Sequence, residues 1–172
     1  MTVRCVLTGG PGAGKTTVGT ALAAALGLAF RDTDADVESH AGMSVADIFL
    51  REGEEHFREL EAAAVRSALA EHDGVLALGG GAILSPLTRA LLVANPGRVV
   101  WLEVGLTAAL DRVGLAKARP VLAMNPRARL SQLLAERAPL YAEVAELRVL
   151  TDGRDVAEIV TEIVKDLGGE RA

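Results

Sequence analysis

Residues 9–17 read Gly-Gly-Pro-Gly-Ala-Gly-Lys-Thr-Thr, and that order of residue types suits one chemistry, the holding of phosphate. Gly9, Gly14, Lys15 and Thr16 fit the pattern G-x-x-x-x-G-K-[ST]. Glycines let the backbone curl so that successive N–H groups point inward at phosphate oxygens. A helix starting at the end of the loop adds its positive N-terminus. The expected nucleotide contacts are Gly12, Ala13, Gly14, Lys15, Thr16 and Thr17. Lys15 is placed to reach the β- and γ-phosphates, and the Thr16 hydroxyl to ligate Mg²⁺.

A second set of candidates is spread along the chain. Asp32 and Asp34, at i and i+2 where a strand ends, point the same way. Like charges this close call for a cation or a polar ligand between them. Gly79-Gly80-Gly81 leaves bare backbone that a ligand can approach. Arg58 and Glu61, at i and i+3, share a helix face beside the apolar positions Phe57, Leu60 and Ala64. An arginine held there presents a planar fork suited to a carboxylate.

These residues need a scaffold, and the hydrophobic pattern supplies one. Short apolar runs predict strands over 3–8, 28–32, 75–78, 99–104 and 147–151. Helices are expected over 17–26, 35–40, 44–52, 54–71, 87–94, 107–113, 128–146 and 156–167, with Pro139 a candidate break in the seventh. Strands alternating with helices predict a three-layer α/β/α fold on a five-stranded parallel sheet, of the phosphate-loop kinase type. Ligands of such sheets bind beyond the carboxyl ends of the strands. The chain reads as a single domain over residues 1–172.

Composition narrows the function. Net charge is −5 and no basic run occurs, which argues against nucleic acid. No apolar run reaches the ~18 residues of a membrane span. The single Cys5 excludes an internal disulfide and suits a cytoplasmic protein; its strand position predicts an inert thiol. His40, His56 and His72 lack metal-ligand spacing.

The constellation resembles the shikimate kinase family across almost the whole chain. The resemblance rests on residues 9–17, Asp32-Thr33-Asp34, residues 42–49, Gly53-Glu54 with Phe57-Arg58 and Glu61, Gly79-Gly80-Gly81-Ala82, Arg119-Pro120-Val121, and Arg137-Ala138-Pro139-Leu140-Tyr141. It implies ATP-dependent phosphorylation of shikimate to shikimate 3-phosphate, a step towards chorismate and the aromatic amino acids, by a monomer. Lys15, Asp34 and Arg119 become the catalytic residues. Asp34, Arg58, Gly80, Gly81 and Arg137 bind the substrate, with Glu61 orienting Arg58. Asp32 joins Thr16 at the metal; Arg112 and Arg154 flank adenine. Helices within about 33–61 hold the substrate, and a lid over about 115–126 carries Arg119. The chain departs from the family where Arg154 is followed by Asp155 rather than by a nearby proline, and where Pro120-Val121 replaces Pro-Leu. The rival readings are a sugar-acid kinase, such as one for gluconate, and a non-catalytic nucleotide- or shikimate-binding regulator.

Overall fold

The computed structural model describes residues 3–114 and 125–168. Five short strands, β1 (Cys5–Thr8), β2 (Ala29–Asp32), β3 (Gly74–Ala77), β4 (Arg98–Glu103) and β5 (Leu147–Leu150), form one parallel sheet in the order β2-β3-β1-β4-β5. Its register sets Leu7 opposite Ala77 on one side and Val100 on the other. The central strand is apolar on both faces because both are covered. Cys5 and Leu7 enter a core with Val100, Leu102 and Val149, closed by α1 (Lys15–Leu26) and α8 (Val156–Gly168). Val6 points the other way, with Leu76, Val99 and Trp101, into a core closed by α4 (Gly53–Glu71) and α5 (Pro86–Ala94). The period-two alternation of a strand thus divides consecutive residues between the two cores.

Three more helices serve the carboxyl edge of the sheet. α2 (Thr33–Ala41) and α3 (Val45–Arg51) fold back on α4 around a small third core of Val37, Val45, Ile48 and Phe57. Ser44 caps α3 by accepting from the Asp47 N–H at 3.1 Å, a contact worth ~1 kcal/mol. α6 (Leu106–Val113) lies beside the phosphate loop, and a Cβ on Gly12 would stand 3.0 Å from the Ala109 backbone.

α7 (Pro126–Val144) passes from one face of the sheet to the other: Leu130 belongs to the first core, Tyr141 and Val144 to the second. Arg137 falls between them, above the strand ends. Pro139 does not break this helix. The carbonyl it leaves without a helical donor, that of Ala135, lies on an exposed stretch, where water can serve it.

Sequence and structure differ chiefly at boundaries. β1 begins at Cys5 rather than Val3, α1 at Lys15 rather than Thr17, and α7 at Pro126 rather than Ala128. Pro126 at the first helical position needs no N–H partner, and Asn125 caps the turn. Most of the expected lid, residues 115–124 with Arg119, lies outside the described residues. No described helix is long and apolar enough to cross a membrane.

Candidate active site

The carboxyl ends of β1 and β3 are adjacent, so the two glycine turns that follow them lie side by side. A Cβ on Gly80 would sit 3.4 Å from the Gly9 carbonyl oxygen. The first turn is the phosphate loop. Gly12 (φ 77°) and Gly14 (φ 85°) adopt left-handed backbone that a side chain would strain. Gly14 caps α1 without a side-chain acceptor, so no cap side chain occupies the first N–H groups of the helix. Lys15 arches over this cradle, its Nζ donating to the carbonyls of Gly9 at 2.9 Å and Gly10 at 3.2 Å.

Beside it, the Thr16 hydroxyl donates to Asp32 Oδ2 at 2.8 Å. The other Asp32 oxygen caps α2 by accepting from the Asp34 N–H at 3.0 Å. Asp32 is therefore fixed at both oxygens, and its separation from Asp34 follows from its capping role. The hydroxyl and carboxylate are hard oxygen donors, few in number, and suit Mg²⁺, which keeps several waters and substrate phosphates as its remaining ligands.

The second turn is packed by side chains drawn from three helices. The Gly79 N–H donates to Thr33 Oγ1 at 3.0 Å, and Thr33 is fully buried. A Cβ on Gly79 would collide with the carboxylates of Asp34 and Glu61, and one on Gly81 with the Arg58 guanidinium. The glycines are needed for this close approach; Gly79 and Gly81 show no positive φ.

Arg58 is held on several sides. Its Nη1 donates to Glu61 at 2.7 Å, its Nη2 to Glu54 at 3.1 Å, and the rings of Phe57 and Phe49 lie 5.2 and 5.8 Å from the guanidinium carbon. Across the turn, Arg137 Nη1 donates to the Gly80 carbonyl at 3.0 Å. The buried Tyr141 hydroxyl donates to the same oxygen at 2.7 Å. The two arginines thus flank the glycine turn, with Asp34 beside it and the phosphate loop adjoining.

Arg112 reaches from α6 to the loop. Its Nη1 donates to the Gly12 carbonyl at 3.1 Å and to Thr151 Oγ1 at 2.9 Å, and its Nη2 to the Thr151 carbonyl at 2.8 Å. Arg154 is turned to its own surroundings, pairing with Glu162 at 2.7 Å and the Leu150 carbonyl at 3.2 Å. Among the described residues, it is the expected site residue that stands apart from the two turns.

Three side chains escaped assignment in the sequence: Thr33, Tyr141 and Glu54. Thr33 sits between two acids that draw attention away from it. Tyr141 lies one helical turn beyond Arg137, a spacing that carries the signal. Glu54 is i−4 to Arg58, which the acidic run Glu52-Gly53-Glu54-Glu55 obscures.

The model for the family "Shikimate kinase" matches residues 11–168. A shikimate kinase of Salinispora arenicola is 56% identical over 159 residues, covering 92% of this chain and 94% of that one. Among solved structures, the shikimate kinase of Acinetobacter baumannii in complex with shikimate superposes with a TM-score of 0.92 at 36% identity, covering 99% and 96% of the two chains. A gluconokinase from Sinorhizobium meliloti reaches a TM-score of 0.55 at 21% identity over 96% and 91%, a likeness of fold alone.

Proposed function

The chain belongs to the shikimate kinase family, and from that premise we infer that it transfers the γ-phosphoryl group of ATP to the 3-hydroxyl of shikimate, a step in the making of aromatic amino acids. The observation that carries the reading is the pair Arg58 and Arg137 on either side of the glycine turn, with Asp34 beside that turn and the phosphate loop adjoining it. Two fixed guanidinium groups favour a substrate with a carboxylate, and the nearby carboxylate favours one with hydroxyls.

The work assigned to each residue follows from its setting. Phosphoryl transfer is mainly positioning and charge neutralisation. The N–H groups of the loop and of the start of α1 would cradle the phosphates. The Lys15 ammonium would leave its carbonyl partners for the β- and γ-phosphate oxygens and follow the charge that develops there. Thr16 and Asp32 would hold Mg²⁺, which would supply positive charge to offset that of the phosphates. Asp34 would orient the attacking hydroxyl and accept its proton. Arg58 and Arg137 would fix the far end of the substrate, so that the hydroxyl meets phosphorus in line. Gly80 and Gly81 would approach the substrate with backbone. Arg112 would border the adenine while tying the loop to the end of β5. Arg119 would close over the phosphates from the stretch outside the described residues.

A coupled ADP-release assay across shikimate, quinate, gluconate and nucleoside monophosphates tests the reading. Turnover with shikimate, and little with the others, is the expected result. Equal turnover with gluconate would shift the assignment to a sugar-acid kinase. ATP or shikimate binding without any turnover would favour a regulator.

A further inference from the structure

Resting on the shikimate reading, we propose that Glu54 is an internal stand-in for the substrate carboxylate: it occupies Arg58 before substrate arrives and must be exchanged for it. Three observations meet here. First, the Arg58 guanidinium is fixed in plane by Phe49 and Phe57 and at Nη1 by Glu61, which is 3% exposed. A ligand cannot displace that partner without opening the core. Second, Nη2 is taken by Glu54, which is 63% exposed and held to the helix by nothing else in the contacts described. Bidentate recognition of a carboxylate uses parallel N–H groups on one edge of the fork. A carboxylate already on Nη2 competes for that edge with a chemically identical group. Third, Glu54 follows Gly53, which has left-handed backbone (φ 87°) and open space about it. The first turn of α4 can release Glu54 while the rest of the helix stays packed.

The charges agree. Arg58 with Glu54 and Glu61 sums to −1, which repels an anionic substrate; once Glu54 swings away the remaining pair is neutral. Exposed i,i+4 pairs are weak, so the exchange is cheap and fast. Glu54 keeps the guanidinium aimed when the site holds no substrate, and it raises the substrate concentration needed to fill the site. It acts on binding, not on the transferred phosphoryl group.

The experiment compares wild type, E54Q and E55Q. Glu55 stands on the same exposed turn and has no described contact with Arg58, so E55Q reports the loss of one negative charge without the exchange. Calorimetric titration with shikimate should show E54Q binding about two- to fivefold more tightly and E55Q within about 1.5-fold of wild type. The kcat of E54Q should stay at the wild-type value while its KM for shikimate falls, and its KM for ATP should not move. The methyl ester of shikimate, which offers no carboxylate to Arg58, should gain nothing from E54Q. Equal or weaker shikimate binding by E54Q overturns the proposal and makes Glu54 a helper of Arg58. Equal gains in E54Q and E55Q also overturn it, since the effect would then be one of general field. Failure of the wild type to turn over shikimate would instead bring down the functional reading on which the proposal rests.

Discussion

Two arginines, one at each end of the sheet, are each gripped by a pair of carboxylates, yet they serve opposite ends. At the carboxyl edge Arg58 takes both partners, Glu54 and Glu61, from its own helix. At the amino edge Arg98, at the start of β4, pairs with Glu146 at 2.6 Å and Asp166 at 2.9 Å, which arrive from the connection between α7 and β5 and from α8. The second arrangement staples three elements that are distant in sequence. The first staples nothing, because i−4 and i+3 neighbours share a helix already. It only aims a guanidinium. Carboxylates on its own helix leave the Arg58 guanidinium at the mouth of the glycine turn, whereas carboxylates from distant elements commit Arg98 to the fold. The position of each arginine relative to the strand ends agrees with that difference.

The comparison can be tested at its extreme. Lys15→Ala should abolish phosphoryl transfer, a fall of at least about a hundredfold, with the thermal midpoint little changed. Lys15 donates to loop carbonyls and belongs to none of the three buried cores, so its loss leaves the core packing alone. A variant keeping more than about a tenth of wild-type turnover, roughly 1.4 kcal/mol of barrier, would remove Lys15 from the chemistry. Asp34→Asn should follow, lowering kcat about a hundredfold or more while ATP affinity measured by titration stays put. A large loss of ATP affinity with normal shikimate binding would reverse the division of labour between Asp32 and Asp34.

The arginines themselves give the next step down. Arg58→Ala or Arg137→Ala should lower kcat/KM for shikimate at least about tenfold, since each removes charge-assisted hydrogen bonds of roughly 1.5–3 kcal/mol. Arg58→Lys should not rescue, because a point charge cannot copy the fork. Neither loss should appear with the methyl ester. Arg98→Ala should do the reverse: a drop of about 1–3 kcal/mol in stability, read from urea unfolding, with kcat/KM within about twofold of wild type wherever the protein is folded. Were Arg98→Ala to lose activity while keeping its stability, the contrast between the two ends would fail.

How much of this was legible in sequence follows the same division. The phosphate loop is nine consecutive residues, so its whole geometry is local and a short pattern describes it. The five strands and eight helices follow from the spacing of apolar residues, and the boundary shifts at Cys5, Lys15 and Pro126 arise where capping and pairing outweigh propensity. Pro139 was a fair warning of a break, overridden by packing of Ala138, Leu140 and Tyr141 on the second core. The substrate side was legible only as separate motifs. Nothing in one strand of text says that Thr33 will catch the Gly79 N–H 46 residues away, or that Tyr141 will share the Gly80 carbonyl with Arg137. Those contacts depend on β2 and β3 being neighbours and on α7 crossing the strand ends. The Arg98 staple was invisible for the same reason.

The smallest effect concerns the thiol at the amino edge. Cys5 pairs in register with Arg98, is fully buried, and has its pKa pushed up to about 12, first by burial and then by the negative charge of Asp166, with Arg98 pulling slightly the other way and Glu146 adding a little. In the unfolded chain it should ionise near about 8.5. The folded state therefore holds its proton more tightly. The contribution to stability is complete below the unfolded value and is lost as pH rises from there towards about 12. At about pH 9.5 the loss should be about 1.4 kcal/mol. Cys5→Ala cannot ionise, so on going from about pH 7.5 to 9.5 its urea midpoint should fall less than that of the wild type. Iodoacetamide should also leave the native thiol untouched at the lower pH and label it at the rate of unfolding, while shikimate turnover by Cys5→Ala stays near wild type. Parallel midpoint shifts in the two proteins, or fast labelling of the native state, would mean that the amino edge opens to solvent on its own. It would then not be the locked counterpart of the ligand-facing edge.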